Sequence, residues 1–178
     1  MIISVEKAKA LIGDFNGWTD EKIEMKLKSI EQTIRAYTNN NFQDRGYRVQ
    51  AWIVGNMLMS ESLIPFEVGD TVQISETQYN NGLYTVADVQ DMTFTVSDDL
   101  REEKNDVLVT KIVYPADVVD CCVNLLEWEK NNRAKVGIQS ETLSRHSVTY
   151  FNQDSGNQVM GYPVSLLGCL KAYRKARC

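Results

Sequence analysis

The chain has 178 residues, of which 43% are apolar and 24% charged, and its net charge is −5. This length suits one domain, or one domain that carries an inserted subdomain. The apolar runs are too short to span a bilayer, and the first residues lack the basic start and continuous apolar stretch of a secretion signal. The composition therefore predicts a globular protein that is made and resides in the cytoplasm.

The charge is distributed unevenly along the chain. Residues 65–113 hold ten Asp or Glu against three Lys or Arg, a net of −7, so the remainder carries about +2. Four cations lie close to the C-terminus, at Lys171, Arg174, Lys175 and Arg177. An acidic chain with one basic end argues against a sequence-independent DNA grip, which needs many cations on one face. The basic end either contacts nucleic acid or an acidic protein, or is a solvated last helical turn whose cations match the helix dipole.

The first forty residues predict two helices. Ser4 caps a short helix from Val5 to Leu11, which Gly13 ends. Thr19 caps a longer helix, and three successive asparagines at 39–41 end it. The apolar residues of this helix follow a 4-3-4-3 spacing, which predicts one buried stripe. The stripe consists of Ile23, Leu27, Ile30, Ile34 and Tyr37.

Residues 49–113 show the alternation of short strands separated by turns. The first predicted strand is Val49 to Val54, and the last is Val107 to Ile112. Gly69-Asp70 predicts a turn, and Asn80-Asn81-Gly82 predicts a hairpin because these residues tolerate positive φ. About five short strands in this length predict a small closed barrel or curled sheet, since closure removes exposed edges.

Helical spacing returns after Tyr114-Pro115, where proline suits a helix start. The mostly apolar face of this helix holds Val118, Val119, Cys122, Leu125, Leu126 and Glu129. Residues 138–161 are polar and rich in turns. Tyr162-Pro163 then opens a predicted final helix with Leu166, Leu167, Leu170 and Tyr173 on its inward side. The predicted fold is α+β: a small helical bundle core, 1–48 plus 114–178, with an inserted small antiparallel β-barrel-like subdomain, 49–113.

The residues needed for catalysis are not assembled in a recognisable pattern. The single histidine, His146, forms no nucleophile–base motif, and the glycines form no phosphate-binding loop. The acidic pairs Asp98-Asp99 and Glu102-Glu103 are interpreted as a solvated turn. The cysteines include no C-x-x-C pair, so we predict buried apolar fillers rather than metal ligands, with the terminal one exposed. These cysteines are Cys121, Cys122, Cys169 and Cys178. We predict no enzymatic activity, no cofactor and no metal.

Several short motifs occur in a fixed order in the two terminal segments. Tyr114-Pro115-Ala116-Asp117-Val118 opens a helix, residues 140–150 follow, and Tyr162-Pro163 precedes Leu170-Lys171-Ala172-Tyr173-Arg174-Lys175. Together with the helix that starts at Val5-Glu6-Lys7 and the one that ends at Ala36-Tyr37-Thr38, this order resembles the head–tail connector (adaptor or head-completion) proteins of long-tailed bacteriophages and their prophage copies. The resemblance covers roughly residues 1–48 and 114–178, and the barrel corresponds to a variable insertion. Ser144 departs from the glycine of many relatives.

This resemblance implies a structural protein of the virion neck, assembled in the host bacterial cytoplasm and without catalytic activity. Copies of the chain would form a ring, commonly twelve-fold, beneath the portal protein and extend the DNA channel. The implied partners are other copies of the chain, the portal protein, the next neck or tail-completion protein, and passing DNA without sequence-specific binding. No membrane is involved.

Two groups of residues are candidate contact sites in such a ring. The first is an inter-subunit arm in which alternation favours strand addition to a neighbour. It consists of Ser140, Glu141, Ser147, Val148, Thr149, Tyr150 and Phe151. The alternative is an intramolecular hairpin packed on its own core. The second group contacts the portal or DNA, and consists of Lys171, Arg174, Lys175 and Arg177. The acidic barrel faces either outward or toward the channel, where a negative wall avoids retaining DNA.

A second interpretation gives the main function to the β subdomain. It is then a small β-barrel binding module that recognises a peptide or nucleic acid, with the helices as a scaffold. Tyr79, Tyr84 and Phe94 are candidates for a platform on which bases stack. The acidic charge of this region opposes nucleic acid, and aromatic residues that alternate on strands are usually part of a core.

Overall fold

The computed structural model describes residues 1–15, 17–133, 140–143, 146–149 and 157–176, the two four-residue stretches as backbone strands only. Contacts divide the chain into two units. The barrel unit comprises Asn41–Tyr114 together with Met1, and the helical unit comprises Ile2–Asn40 and Pro115–Cys178. The fold is α+β with a small barrel, which confirms the fold class at that level.

The barrel unit is built from six antiparallel strands that close in the order β1-β2-β5-β4-β3-β6, with β6 pairing back to β1. The strands are β1 (Gln43–Val54), β2 (Met57–Met59), β3 (Thr71–Ser75), β4 (Gly82–Val89), β5 (Thr93–Val96) and β6 (Glu103–Ile112). The prediction of a small closed barrel is therefore confirmed.

Strand alternation fills the interior of the barrel unit. On β1, Val49, Ala51 and Ile53 are buried, whereas the intervening side chains face outward. Phe66 and Phe94 meet inside with ring centroids 5.5 Å apart at 72°, an edge-to-face arrangement that aromatic pairs favour. Each buried aliphatic or aromatic side chain contributes about 1.5–3 kcal/mol relative to exposure, so this interior is the main source of stability of the barrel unit.

Two hairpins of the barrel unit differ in how their turns are made. Gly55-Asn56 joins β1 to β2, and Gly55 has a φ of 61°, as the first central residue of a type II′ turn requires. The β3–β4 hairpin is present as predicted, but its positive φ falls on Glu76 (63°) rather than on the Asn80-Asn81-Gly82 run. The proposed reason for that hairpin was therefore wrong, because a buried carboxylate described below holds the loop.

β1 begins at Gln43, six residues before the strand predicted from Val49. The early part of the strand pairs with β6 but shifts register between Asp44 and Arg48. Gly46 donates its N–H to Asp44 Oδ1 over 3.0 Å inside this irregular stretch. A bulge interrupts the alternation of inward and outward side chains. The sequence of residues 43–48 therefore lacks the apolar–polar alternation that predicts a strand.

The helical unit begins with two helices whose caps were predicted correctly. In α1 (Val5–Ile12), Ser4 Oγ accepts from Lys7 N–H, and Gly13 ends the helix with a φ of 78°. In α2 (Asp20–Thr38), Thr19 Oγ1 accepts from Lys22 N–H over 3.3 Å. The predicted stripe of α2 is buried except for its last member, Tyr37, which is half-buried. Asn39 ends α2 in the left-handed conformation.

The helical unit is completed by α3 (Ala116–Asn132) and a 3₁₀ helix (Val164–Tyr173). α3 packs against α1, α2 and the 3₁₀ helix. The predicted final helix is present in the 3₁₀ conformation, and its Leu167 and Leu170 are buried at the three-residue spacing that aligns side chains in that conformation. Between these elements lie two short hairpins, formed by β7 (Ser140–Leu143) with β8 (His146–Thr149) and by β9 (Gln158–Val159) with β10 (Tyr162–Pro163).

Candidate interaction surfaces

The predicted basic contact site lies at the end of the helical unit. Lys171, Arg174 and Lys175 are exposed, whereas Arg177 lies outside the described residues. The 3₁₀ helix ends at Tyr173, and Arg174 is extended, with a φ of −68° and a ψ of 127°. The interpretation of these cations as a solvated last turn therefore fits Lys171 alone, because Arg174 and Lys175 follow the helix.

Three successive residues at the end of α2 hold this basic segment in place. Thr38 O accepts from Lys175 N–H over 2.8 Å, and Asn39 Nδ2 donates to Ala176 O over 2.8 Å. Asn40 Nδ2 donates to Tyr173 O over 3.3 Å. The asparagines were predicted only to end α2, and they also bind the C-terminal segment. The cations consequently project from a fixed backbone.

Asn39 both ends α2 and holds the C-terminal segment, and one substitution can separate these two effects. Asn39→Gly keeps the left-handed conformation that ends the helix but removes the bond to Ala176 O, so we expect the helix end to be preserved. Limited trypsin digestion is expected to cut after Lys175 faster than in the wild type. Gln32→Gly, on the exposed face of α2, is a control that alters the helix but leaves the attachment intact. An unchanged cleavage rate in Asn39→Gly would show that the hydrogen bond from Asn39 to Ala176 O does not restrain the C-terminal segment.

The predicted arm contains a two-stranded antiparallel hairpin. β7 and β8 pair in register from Ser140↔Thr149 to Leu143↔His146. The intramolecular pairing considered as the alternative is thus present between these two strands. Tyr150 and Phe151 lie outside the described residues, and so does Ser144. Strand addition by the arm remains a prediction. Within the residues that the structure describes, the sheet has only these two strands, so each has an outer edge to which a neighbour could pair.

A buried ion cluster in the helical unit links residues that precede this hairpin in the chain with residues that follow it. Glu129 is 2% exposed and accepts from Lys26 Nζ over 2.9 Å and from Arg133 Nε over 2.9 Å. Arg133 also donates to Gly161 O over 3.2 Å, and its guanidinium lies over the Tyr162 ring. The cluster therefore connects α2, the end of α3 and the β9–β10 turn.

The electrostatics of the cluster follow from its geometry. Burial acts to raise the pKa of Glu129, but hydrogen bonds from Arg133, Lys26 and Tyr162 outweigh it and lower the pKa to about 2. Burial, with the hydrogen bond to Glu129, raises the pKa of Tyr162. The sequence placed Glu129 on the apolar face of α3, and a carboxylate at such a position, with arginine four residues later, is the signal that predicts a buried ion pair.

The barrel unit contains a second buried carboxylate, Glu103. It is 9% exposed and accepts from Gln78 N–H over 2.9 Å, Tyr79 N–H over 3.0 Å and Asn80 Nδ2. Burial acts to raise the pKa of Glu103, yet these hydrogen bonds together lower it. The interpretation of Glu102-Glu103 as a solvated turn was wrong for Glu103, which anchors the β3–β4 loop, whereas Glu102 is exposed.

The three aromatic residues considered as a stacking platform do not share one exposed surface. Phe94 is 1% exposed inside the barrel, and Tyr84 is half-buried. Tyr79 is 56% exposed, and the Arg101 guanidinium lies 5.6 Å from its ring centroid. Strand alternation directs Phe94 inward, so a platform made of all three is not formed.

The cysteines of the helical unit divide into two environments. Cys121 and Cys122 are buried, which confirms their predicted role as apolar fillers, and burial raises the pKa of Cys122 to about 12. Cys169 is exposed, contrary to the prediction of a buried thiol, and Cys178 lies outside the described residues. In the described part of the chain, no three His, Cys, Asp or Glu side chains converge as a metal site.

A groove of about 340 Å³ lies on the outside of the barrel unit beside β1. β2 pairs only with the last three residues of β1, Trp52–Val54. Beyond Met59 the chain follows the β5 side of the barrel, because Ser60 donates its N–H to Met92 O over 2.9 Å. The chain thereby separates from β1 and leaves the groove between them. Its walls include Arg48, Gln50, Trp52, Ser60, Leu63 and Asp106.

Comparison of the sequence with protein-family models and with curated proteins finds no match. Within the described ranges, no helix has both the length and the apolar character needed to cross a membrane.

Proposed function

We propose that this chain is a non-enzymatic structural protein of a bacteriophage or prophage neck. As a head–tail connector it forms a ring between the portal protein and the tail, and it extends the DNA channel. In this proposal the helical unit is a small helical bundle core, and the barrel unit is an insertion into it. The virion is then its final location.

The observation that carries the proposal is the fixed basic segment. Lys171, Arg174 and Lys175 are exposed, and the backbone beside them is bound to Thr38 and Asn39. A set of cations on a positioned backbone presents the same charge pattern from every copy, as a ring that contacts an acidic portal surface or DNA requires. Charges of this kind steer association and select the partner more than they add affinity.

The β7–β8 hairpin gives independent support. The chain enters the 134–156 segment just after Arg133 and leaves it just before the β9–β10 turn, which Arg133 binds through Gly161 O. Its β7–β8 hairpin has two outer strand edges. Among the described residues neither strand pairs with a third one, and such open edges suit a heterologous contact, in which one surface of each copy meets a different surface of the next.

Electron microscopy of the purified protein, alone and mixed with the portal protein of the same phage or prophage, tests the proposal. Rings stacked on portals are the expected result. The isolated protein remaining monomeric is compatible with this, since portal binding then nucleates the ring. Portals that stay bare at saturating concentrations of the chain would contradict the proposal.

Reversal of the four C-terminal cations provides the mutational test. Replacing Lys171, Arg174, Lys175 and Arg177 by glutamate is expected to abolish ring formation on portals, because attraction becomes repulsion at every copy. The thermal transition is expected to shift only slightly, since the three described side chains are exposed and the contact of the Arg174 guanidinium with Tyr37, 5.2 Å from its ring centroid, lies at the surface.

A control variant reverses an equal number of exposed cations elsewhere on the chain. It carries glutamate at Lys7, Lys22, Lys28 and Lys104. This variant changes the net charge equally, and we expect it to form rings. Equal loss of rings in both variants would assign the effect to overall charge rather than to the basic segment.

A second candidate function is supported by the groove beside β1. In this alternative the barrel is a peptide-binding module, and the groove is its binding site. Residues 41–114 hold twelve acidic and five basic residues, a net of −7, which disfavours nucleic acid as the ligand. Measurable affinity for a single-stranded oligonucleotide at physiological salt would reverse that preference.

A further inference from the structure

We propose that the groove beside β1 receives the β7–β8 hairpin of a second copy of this chain, which adds a strand to the open edge of β1. This inference rests on the proposed ring and names the surface that its arm meets. It follows from the direction of the β1 backbone, the walls of the groove and the nature of the hairpin.

Within the described ranges, the backbone of β1 offers unpaired hydrogen-bonding groups to the groove. Backbone polar groups point alternately to the two sides of a strand. Val54 closes the two-residue turn and is bonded to β2, so Trp52 also faces β2. Val49 and Ala51, of opposite parity, face β6, where they lie opposite Val109 and Val107. The register shift between Ala51 and Ile53 places its extra residues on β6, so the alternation of β1 continues through it. The N–H and C=O of Gln50 therefore face the groove, where β2 has already ended.

The walls of the groove match a strand that alternates apolar and polar side chains. Leu63 is 72% exposed on the wall opposite β1, and Trp52 is half-buried at one end. Gln50 is held outward by Asp106, with Nε2 and Oδ2 3.3 Å apart. An apolar side chain of an added strand would cover Leu63 and Trp52, and its polar neighbours would face the amide and carboxylate.

The β7–β8 hairpin has the properties required of the occupant. Each strand is four residues long, and the described part of the chain shows no third strand beside them. A two-stranded hairpin is only marginally stable in water, so it gains from a third strand. Residues 140–151 include one glutamate and one arginine, a net charge of zero, and the barrel unit at −7 does not repel them.

The two surfaces differ, so their contact between copies is heterologous. The hairpin belongs to the helical unit and the groove to the barrel unit. When one copy presents the hairpin and the next presents the groove, the contact is heterologous and repeats from copy to copy, as in a ring. The backbone supplies the affinity, and the groove walls set the register.

A binding experiment with a peptide of residues 138–156 tests the groove directly. The receptor is the full ¹⁵N-labelled chain carrying Val148→Pro, which disables its own hairpin. We expect the peptide to slow amide hydrogen exchange at Gln50 by about tenfold or more at saturation. The amide of Val49, already bonded to β6, is an internal reference and is expected to change little. No binding, or binding without protection of Gln50, would overturn the inference.

Two matched variants identify the site of binding. Leu63→Asp is expected to weaken peptide binding at least about tenfold, since a charge replaces an apolar wall. Val68→Asp introduces the same charge on the barrel unit at a residue that is 66% exposed and does not line the groove, so it is expected to bind normally. Equal affinity of the two variants would place the peptide elsewhere.

The wild-type chain decides between a second copy and the same copy. Protection of the Gln50 amide is expected to increase with protein concentration, because the hairpin comes from another molecule. Protection independent of concentration would overturn the intermolecular contact. Ring formation on portals by Leu63→Asp at wild-type level would leave the proposed function standing while removing the groove from it.

Discussion

Replacing Glu129 by alanine is expected to lower the free energy of unfolding of the helical unit by about 3–5 kcal/mol, the range for removing one partner of a buried ion pair. Lys26 and Arg133 would then keep their charges without the carboxylate that they surround. For a chain of this size the corresponding drop in melting temperature is about 6–20 °C. Thermal and denaturant unfolding followed by circular dichroism at the helical band measure the loss.

The control for this prediction is Glu127→Ala, which removes an exposed carboxylate from the same helix. It is expected to change stability by less than about 0.5 kcal/mol. A loss below about 1 kcal/mol in Glu129→Ala would mean that the cluster is no more stabilising than a surface pair.

The pH dependence of the Glu129 effect has a defined sign. Because the folded protein lowers the pKa of Glu129 from 4.5 to about 2, the ionised form stabilises the fold at pH values above the unfolded pKa. That contribution is lost as the pH falls through the interval between these two values. The difference in unfolding free energy between the wild type and Glu129→Gln is thus expected to be largest near neutrality and to shrink below pH 4.5. A constant difference would contradict the low pKa.

Replacing Glu103 by alanine is expected to destabilise the barrel unit by about 2–4 kcal/mol, because several donors lose their acceptor together. The amides of Gln78 and Tyr79, which donate to its two carboxylate oxygens, are expected to exchange with solvent faster. Hydrogen exchange read by NMR locates this effect, and denaturant unfolding gives its size. Glu102→Ala, the exposed neighbour, is the matched control.

Acid is expected to reproduce part of the Glu103 effect. The pKa of Glu103 is lowered in the folded protein, so its contribution is complete above the ordinary value of 4.5 and declines as the pH falls below it. Exchange of the Gln78 and Tyr79 amides, corrected for the intrinsic pH effect, should accelerate in the wild type at low pH and change less in Glu103→Ala. Identical pH profiles would show that the carboxylate does not hold the loop.

Local signals in the sequence predicted the helices and the closed barrel well. The α2 stripe combines a cap at Thr19 with a regular spacing that nothing in the tertiary structure overrides. By contrast, the irregular start of β1 and the 3₁₀ conformation of Val164–Tyr173 depend on long-range pairing and packing. Local sequence patterns do not reveal such long-range pairing and packing.

The candidate surfaces were predictable only in part. The four cations are visible in the sequence, but the attachment of their backbone to Thr38 and Asn39 joins residues more than 130 positions apart. The groove depends on β2 being far shorter than β1, a mismatch that the prediction of a closed barrel concealed. Glu103 was predicted to be solvated because its sequence neighbours are acidic. Its burial depends instead on the β3–β4 loop, whose Gln78 and Tyr79 amides donate to it.

The division of the helical unit into two separated stretches has a consequence for synthesis on the ribosome. The barrel unit is nearly continuous, Asn41–Tyr114, so all but one of its residues emerge in a single run. α1 and α2 emerge earlier and must wait for α3 and the 3₁₀ helix before their apolar stripe is covered. During translation the barrel is therefore positioned to fold first, while the leading helices stay exposed until α3 and the 3₁₀ helix have emerged.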